Sequence, residues 1–335
     1  MDFTLYLVHK RVLFVTTKQL SYIRNSQEMR ICREYADQVD VIGSDSSSYP
    51  VRLARVYGEL LRRSCTKYDV VFIGFSPQLV LPAWHWKFQK KIIIIDFFIS
   101  VYDTLCQDRG KVKPYGVLGK LLKKWDQRTL SKADCVLCDT EAHGRFFREE
   151  LGAQAEAMEV LYLEADPSLY YPREIVKSQE WEDRFVILYF GSILPLQGVD
   201  VILDAIQRLQ NHREYMDGLE FVLIGPLSEK QMGLVRKLSY VHWERWLAQE
   251  ELGDWIAMAD LCLAGHFHPT IAKARRTIPG KAYIYEVMEK PMILGDNEAN
   301  RERYTESDRV SFVPMGDAQA LLQEILKQYE KWRRR

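Results

Sequence analysis

Residues 190–206 read FGSILPLQGVDVILDAI. An apolar run ends at Gly191, the chain turns through Pro195 and Gly198, and from Val199 apolar residues recur at helical spacing. Strand, tight turn and helix entrance in quick succession make the repeating unit of parallel α/β sheets. A helix entrance also attracts anions, because its first N–H groups have no intrahelical partner. This loop holds no Lys or Arg, so a cation to accompany such an anion has to come from elsewhere in the chain.

The same succession recurs on both sides. Before it come RVLFVT (11–16), VDVIG (39–43), DVVFIGF (69–75), KIIIIDFF (91–98), ADCVLCDT (133–140) and EVLYLE (159–164). FVILYFGS (185–192) restarts the series, followed by LEFVLIGP (219–226), YVHWERW (240–246), DLCLAGH (260–266), KPMILGD (290–296) and VSFVPM (310–315). Strands alternating with helix-like stretches, twice over, predict two doubly wound, Rossmann-like parallel sheets. The expected division is a first domain over 1–170, a polar linker over 171–183, a second domain over 184–316 and an amphipathic closing helix over 317–335. Ligands of such sheets sit beyond the carboxyl ends of the strands, so a cleft faced by the two domains is the expected binding place.

Composition fits this picture. The 335 residues are 47% hydrophobic and 27% charged, ordinary for a packed globular chain. Formal net charge is zero, which argues against a general nucleic-acid binder. That average conceals a basic first half, since residues 1–148 hold 24 Lys and Arg against 15 Asp and Glu. MDFTLYLVHKRVLFVTT reads as a strand approach and not as a secretory leader, so a cytoplasmic protein is expected. VVFIGFSPQLVLPAWHW (70–86) is long and uncharged, but Pro77, Pro82 and Gly74 within it argue for a buried strand with its loop over a membrane span. The six cysteines are expected as reduced thiols, and Cys135 with Cys138 as small apolar fillers of a strand, because no second pair stands at ligand spacing.

Residues 263–302, LAGHFHPTIAKARRTIPGKAYIYEVMEKPMILGDNEANRE, hold the missing cations. A strand ends at Gly265, a basic loop follows with Lys273, Arg275 and Arg276, and Pro279-Gly280-Lys281 opens a helix bearing Glu286. Gly191 allows a close approach to a ligand and Gly198 starts a helix whose amides can face a diphosphate. Read from charge pattern alone, the basic loop is either a solvated surface or the cationic wall of that site.

Over nearly its whole length, and most strongly in these segments, the chain resembles the family 4 retaining glycosyltransferases of GT-B architecture. Gly191, Ser192, Ile193, Gln197 and Gly198 stand where members carry a Gly-Arg-Leu…Lys-Gly loop, and Glu286 matches the second glutamate of their Glu-x7-Glu element. The resemblance implies a ribose contact for Glu286, and places Trp246 and Leu247, in HWERWLAQEELGD, beside the nucleotide base with Gly225 nearby. Two departures stand out: Ile278 occupies the place of the first glutamate, and Ser192 and Gln197 replace the Arg and Lys that grip the diphosphate. A departing diphosphate gains negative charge, so Lys273, Arg275, Arg276 or Lys281 has to supply the cation, with Lys281 assigned a catalytic part.

In the first half, the resemblance places the loop after KIIIIDFF next to the reacting sugar. Asp96 is the candidate for a catalytic polar contact there, or else a carboxylate that caps the strand end. Ser100, Tyr102, Asp103 and Arg109, with Asn25 and Arg30 from the loop and helix after the first strand, are the acceptor-side candidates. KVKPYGVLGKLLKKW and PAWHWKFQKK suit an anionic membrane surface or a solvated helix face. The chain contains no Asp-x-Asp, so metal-independent transfer with no cofactor is expected, with UDP as the commonest nucleotide of the family. Expected partners are a nucleotide sugar and a glycan or lipid-linked acceptor in cell-surface polysaccharide synthesis. A nucleotide-sugar epimerase of related fold and a non-catalytic sugar-nucleotide-binding subunit stay open as alternatives.

Overall fold

Alternation along single strands dictates two-sided burial. In Arg11–Val15, Leu13 and Val15 join one apolar cluster with Ile73, Ile93 and Ile95, while Val12 and Phe14 join another with Phe72, Ile94 and Leu137. A sheet apolar on both faces has to be covered by helices on both, which is the doubly wound arrangement. A computed structural model describes residues 2–153, 157–192 and 194–334. Ile193 of the Gly191 loop lies outside the described residues.

The strands are β1 Arg11–Val15, β2 Gln38–Ile42, β3 Val70–Ile73, β4 Ile92–Asp96, β5 Cys135–Cys138 and β6 Ala157–Val160, then β7 Phe185–Phe190, β8 Leu219–Ile224, β9 Val241–Glu244, β10 Leu261–Gly265, β11 Met292–Asp296 and β12 Val310–Pro314. They form two six-stranded sheets, in the orders β2-β1-β3-β4-β5-β6 and β12-β11-β10-β7-β8-β9. Every pairing is parallel. The winding direction reverses between β1 and β3 in the first sheet and between β7 and β10 in the second, and these are the positions at which such sheets hold ligands.

Two compact units result, Met1–Glu164 and Ala165–Arg335. The polar stretch expected as a linker is fastened to the second unit. Trp181 is buried with its ring 5.2 Å from His242 and 5.7 Å from Trp255, Arg173 pairs with Asp254 at 2.8 Å, and Lys177 bonds to Asp260. The division therefore falls earlier than 170, because apolar anchors hidden among charges decide where a segment packs. The closing helix, Ala318–Arg333, lays Tyr329 and Trp332 against Phe185 at 5.8 and 5.6 Å. Cys135 and Cys138 are buried thiols of β5, filling the sheet. No helix among the described residues is long and apolar enough to cross a membrane.

A fully buried ion network ties the first unit together. Arg24, on the helix Ile23–Tyr35, donates to Asp96 at the end of β4 (3.0 Å), lies 3.3 Å from Glu28, and reaches the carbonyl of Leu161. Burial and the neighbouring Asp96 raise the Glu28 carboxyl well above its ordinary range. Removing one partner of such a network leaves an uncompensated interior charge, which costs about 3–5 kcal/mol. Arg24→Met is accordingly expected to destabilise the protein by about that amount at pH 7, with part of the loss recovered at pH 5 as protonation of the raised Glu28 carboxyl removes an uncompensated charge. Urea denaturation at the two pH values measures the difference, and equal losses at both would refute the charge account.

Candidate functional site

The switch point of the second sheet gathers three strand ends. After β7 the chain passes Gly191, turns through Pro195–Gln197 and enters the helix Val199–Arg208 at Gly198, whose φ is 71°. A Cβ on Gly198 would stand 2.6 Å from the backbone nitrogen of His268, so only glycine lets this loop lie against the one after β10. At the end of β8, a Cβ on Gly225 would stand 2.0 Å from the carbonyl oxygen of Gly191. Gly225 N–H donates to Glu244 O (2.8 Å) and Trp243 Nε1 donates to Gly225 O (2.9 Å), which joins the end of β9 to the same edge.

Lys281 supplies the cation that the loop lacks. It lies in the first turn of the helix Gly280–Val287, only 5% exposed, and its Nζ donates to Gln197 Oε1. The ammonium stands 4.4 Å from the centre of the Tyr189 ring and 3.1 Å from the point where a Cβ on Gly191 would be. Burial lowers its pKa to about 7. The charge thus reaches the Gly191 loop from the helix Gly280–Val287, beyond β10. Beside it, His266 is buried with Nδ1 3.0 Å from Thr277 O, and burial together with the Lys281 charge pushes its pKa down to about 3. The imidazole is therefore neutral at physiological pH.

The other cations come on a short helix, Ala272–Arg276. Ile271 and Ala274 pack on Leu196 of the turn before Gly198, which brings Lys273, Arg275 and Arg276 next to the loop. Arg275 is exposed and donates to Pro269 O at 3.1 Å, while Lys273 and Arg276 are half-buried. Ser192 is exposed at the mouth of the turn. Glu286 is half-exposed, accepts from Arg303 (2.8 Å) and from the Tyr304 hydroxyl (3.2 Å), and so has an orientation fixed from one side. Trp246 is exposed in the loop beyond β9, with Leu247 half-buried behind it.

The first unit treats its candidates differently. Asp96 is fully buried against Arg24, in keeping with a carboxylate that holds the strand end. Asn25 is buried too, donating to Gln19 O (2.6 Å) and accepting from Thr16 Oγ1 (3.2 Å), so it closes the loop after β1. Ser100 donates to Asp126 (2.7 Å), Tyr102 N–H donates to the same carboxylate (2.9 Å), and Asp103 is buried on the following turn. Ser100, Tyr102 and Asp103 are turned inward because the loop after β4 folds back on the buried Asp126. Arg30 pairs with Glu164 on the surface, and Arg109 is exposed.

Sequence reading passed over Tyr189, His266 and Trp243. Tyr189 and Trp243 sit inside strands and look like core residues, and the Tyr189 hydroxyl is buried without a hydrogen-bond partner among the described residues. His266 offered one signal, a polar residue directly after a buried strand.

Residues 184–331 match the family model described as glycosyl transferases group 1. No curated protein matches the chain in sequence. Among solved structures, sucrose-phosphate synthase (tll1590) from Thermosynechococcus elongatus is similar at 13% identity and TM-score 0.67, over 96% of this chain and 90% of that one. HepE of Anabaena, solved in complex with UDP, is similar at 14% identity and TM-score 0.63, over 96% and 90%. A glycosyltransferase from Rickettsia africae ESF-5 gives 12% and 0.62, over 96% and 89%. These likenesses are of fold, with two Rossmann-like halves as in GT-B glycosyltransferases. Residues 184–331 thus match the glycosyl transferases group 1 model, within a chain whose two Rossmann-like halves have the GT-B fold.

Proposed function

We propose that the protein transfers a sugar from a nucleotide-diphosphate donor, UDP being the nucleotide favoured by the family resemblance, to a glycan or lipid-linked acceptor. The observation that carries this reading is the buried Lys281 beneath Gly191 and Gln197, at the switch point of the second sheet. Free backbone N–H groups at the entrances of the helices Val199–Arg208 and Gly280–Val287 supply donors for the diphosphate oxygens. Lys281, with Lys273, Arg275 and Arg276 on the adjoining helix, balances the charge that grows as the glycosidic bond breaks. Glu286, already oriented by Arg303 and Tyr304, accepts from the ribose hydroxyls.

The anomeric configuration is retained in this proposal, and no metal is required, since fixed cations and amides carry out the electrostatic stabilisation. The acceptor belongs to surface-polysaccharide synthesis on the inner face of a membrane. Incubation of the protein with a UDP-sugar panel and lipid-linked acceptors, followed by NMR of the product anomer, tests the reaction. Nucleotide release without any new glycoside in the whole panel would refute transfer, and conversion of the sugar without acceptor would favour epimerisation.

Lys281 gives the reading a pH signature. Its folded pKa of about 7 lies below the ordinary lysine value, so the desolvation cost is fully present below pH 7 and disappears as pH rises toward that value. Lys281→Met is therefore expected to be the more stable protein near pH 6, with the wild type gaining on it by up to about 1.4 kcal/mol per pH unit above pH 7. The same variant should bind UDP about 10- to 100-fold more weakly, the worth of a charged hydrogen bond. Calorimetry of the wild type above pH 7 should show proton uptake on UDP binding, and unchanged affinity in the variant would contradict the assignment.

Glu286→Gln keeps the shape and removes the charge. Its expected effect is about tenfold weaker UDP binding with little change in melting temperature, since the ion pair with Arg303 is half-exposed and the amide oxygen can still accept from the buried Tyr304 hydroxyl. Thermal shift with and without UDP measures both quantities.

A further inference from the structure

We infer that the turn and helix over residues 111–128 form a docking surface for an anionic lipid bilayer. The two basic stretches of the first unit separate clearly in the structure. In PAWHWKFQKK, Lys87 Nζ donates to the carbonyls of Leu60, Leu61 and Arg63 at the end of the helix Tyr49–Arg62, and Lys91 donates to Thr66 O. Lys87 and Lys91 thus satisfy backbone oxygens, and Lys90 is the one lysine of that stretch with no hydrogen bond or ion pair to a described residue. In KVKPYGVLGKLLKKW the side chains of Lys111, Lys113, Lys120 and Lys124, and of Arg128 just beyond, make no hydrogen bond or ion pair with any described residue. Only Lys123 is engaged, 3.5 Å from Glu150.

Large apolar side chains are exposed on the same segment: Tyr115 by 90%, Val117 by 79%, Leu121 by 58% and Leu118 by 55%. On the helix Val117–Leu130, helical spacing puts Val117, Leu121, Lys124 and Arg128 in one stripe, with Leu118 and Lys120 on its flanks. The opposite face carries Leu122, Asp126, Thr129 and Leu130 into the interior. Asp126, the sole acid of the segment, is buried and accepts from Ser100, Gln78 and the Tyr102 amide, so the segment's own carboxylate does not offset its bases. The presenting turn is fixed in place. Val112 packs on the core, Gly116 N–H donates to Lys113 O (3.1 Å), and a Cβ on Gly119 would stand 2.4 Å from Lys113 O.

Charge complementarity selects the occupant. Apolar side chains at the first turn, a tyrosine at their edge and a ring of unpaired bases match the acyl boundary, the interface and the phosphate layer of an anionic leaflet. A second copy would set base against base in a two-fold contact. A nucleic acid would bring phosphates onto leucine and valine. The inference deepens the lipid-linked acceptor reading and rests on it for its purpose, but its test uses no sugar donor, so either can fail alone.

The test is co-sedimentation of the full chain with vesicles of equal parts phosphatidylglycerol and phosphatidylcholine, against phosphatidylcholine alone. Binding is expected with the anionic vesicles and reduced by high salt, and at least about tenfold weaker for Leu118→Glu/Leu121→Glu and for Lys120→Glu/Lys124→Glu. Both pairs are exposed, so unchanged melting temperatures and unchanged UDP response should accompany the loss. No binding of the wild type to anionic vesicles, or equal binding by both variants, would overturn the inference. A dimer in sedimentation analysis that the leucine variant dissolves would assign the face to a second copy and overturn it as well.

Discussion

A lysine ammonium enclosed by a tyrosine ring, a glutamine amide and a glycine backbone is held at a cost, because its charge has lost most of its water and gained no carboxylate among the described residues in return. Much of the second sheet's carboxyl edge is organised around this one group. Gly198 and Gly225 allow the loops to close to backbone contact, Leu196 draws the basic helix Ala272–Arg276 alongside, and His266 is kept neutral. In the proposed reading, an arriving anion would offset part of that desolvation cost.

The first unit has the same winding and the opposite electrostatic solution. Its edge beyond β1 and β4 is filled from within by Arg24, Asp96 and Glu28, which are buried and lie against one another. Likewise Asp126 consumes the donors of Ser100, Gln78 and the Tyr102 amide. One architecture thus carries a buried, charge-paired network in one half and, in the other, a buried cation with no carboxylate partner among the described residues. The free bases of this unit stand instead on its outer surface, over residues 111–128.

Eleven of the twelve strands fell on their expected runs, because short β-branched runs bounded by glycine and acid have few other readings at this spacing, whereas β6 spans Ala157–Val160 and leaves most of EVLYLE (159–164) outside it. The Gly191 loop and the basic segment after β10 were legible as a pair, since a helix entrance without a cation asks for one. Asn25, Ser100, Tyr102 and Asp103 read as available polar groups, yet each is turned inward. A polar residue in a loop looks the same in sequence whether its partner is solvent or a buried carboxylate far along the chain. The stretch 171–183 shows the converse, where charged neighbours concealed the anchoring Trp181.

What the sequence determined by itself was local: where strands and helices begin, that both sheet faces are apolar, and that the first half is basic. Those properties depend on neighbours within a few residues, which propensity and periodicity record. Which lysine would be buried, which carboxylate would be neutralised and which bases would stay free were decided only by the tertiary structure. Burial and pairing depend on groups tens of residues apart, Gln197 with Lys281 and Arg24 with Asp96, and a charge takes its character from the water it loses and the partner it meets.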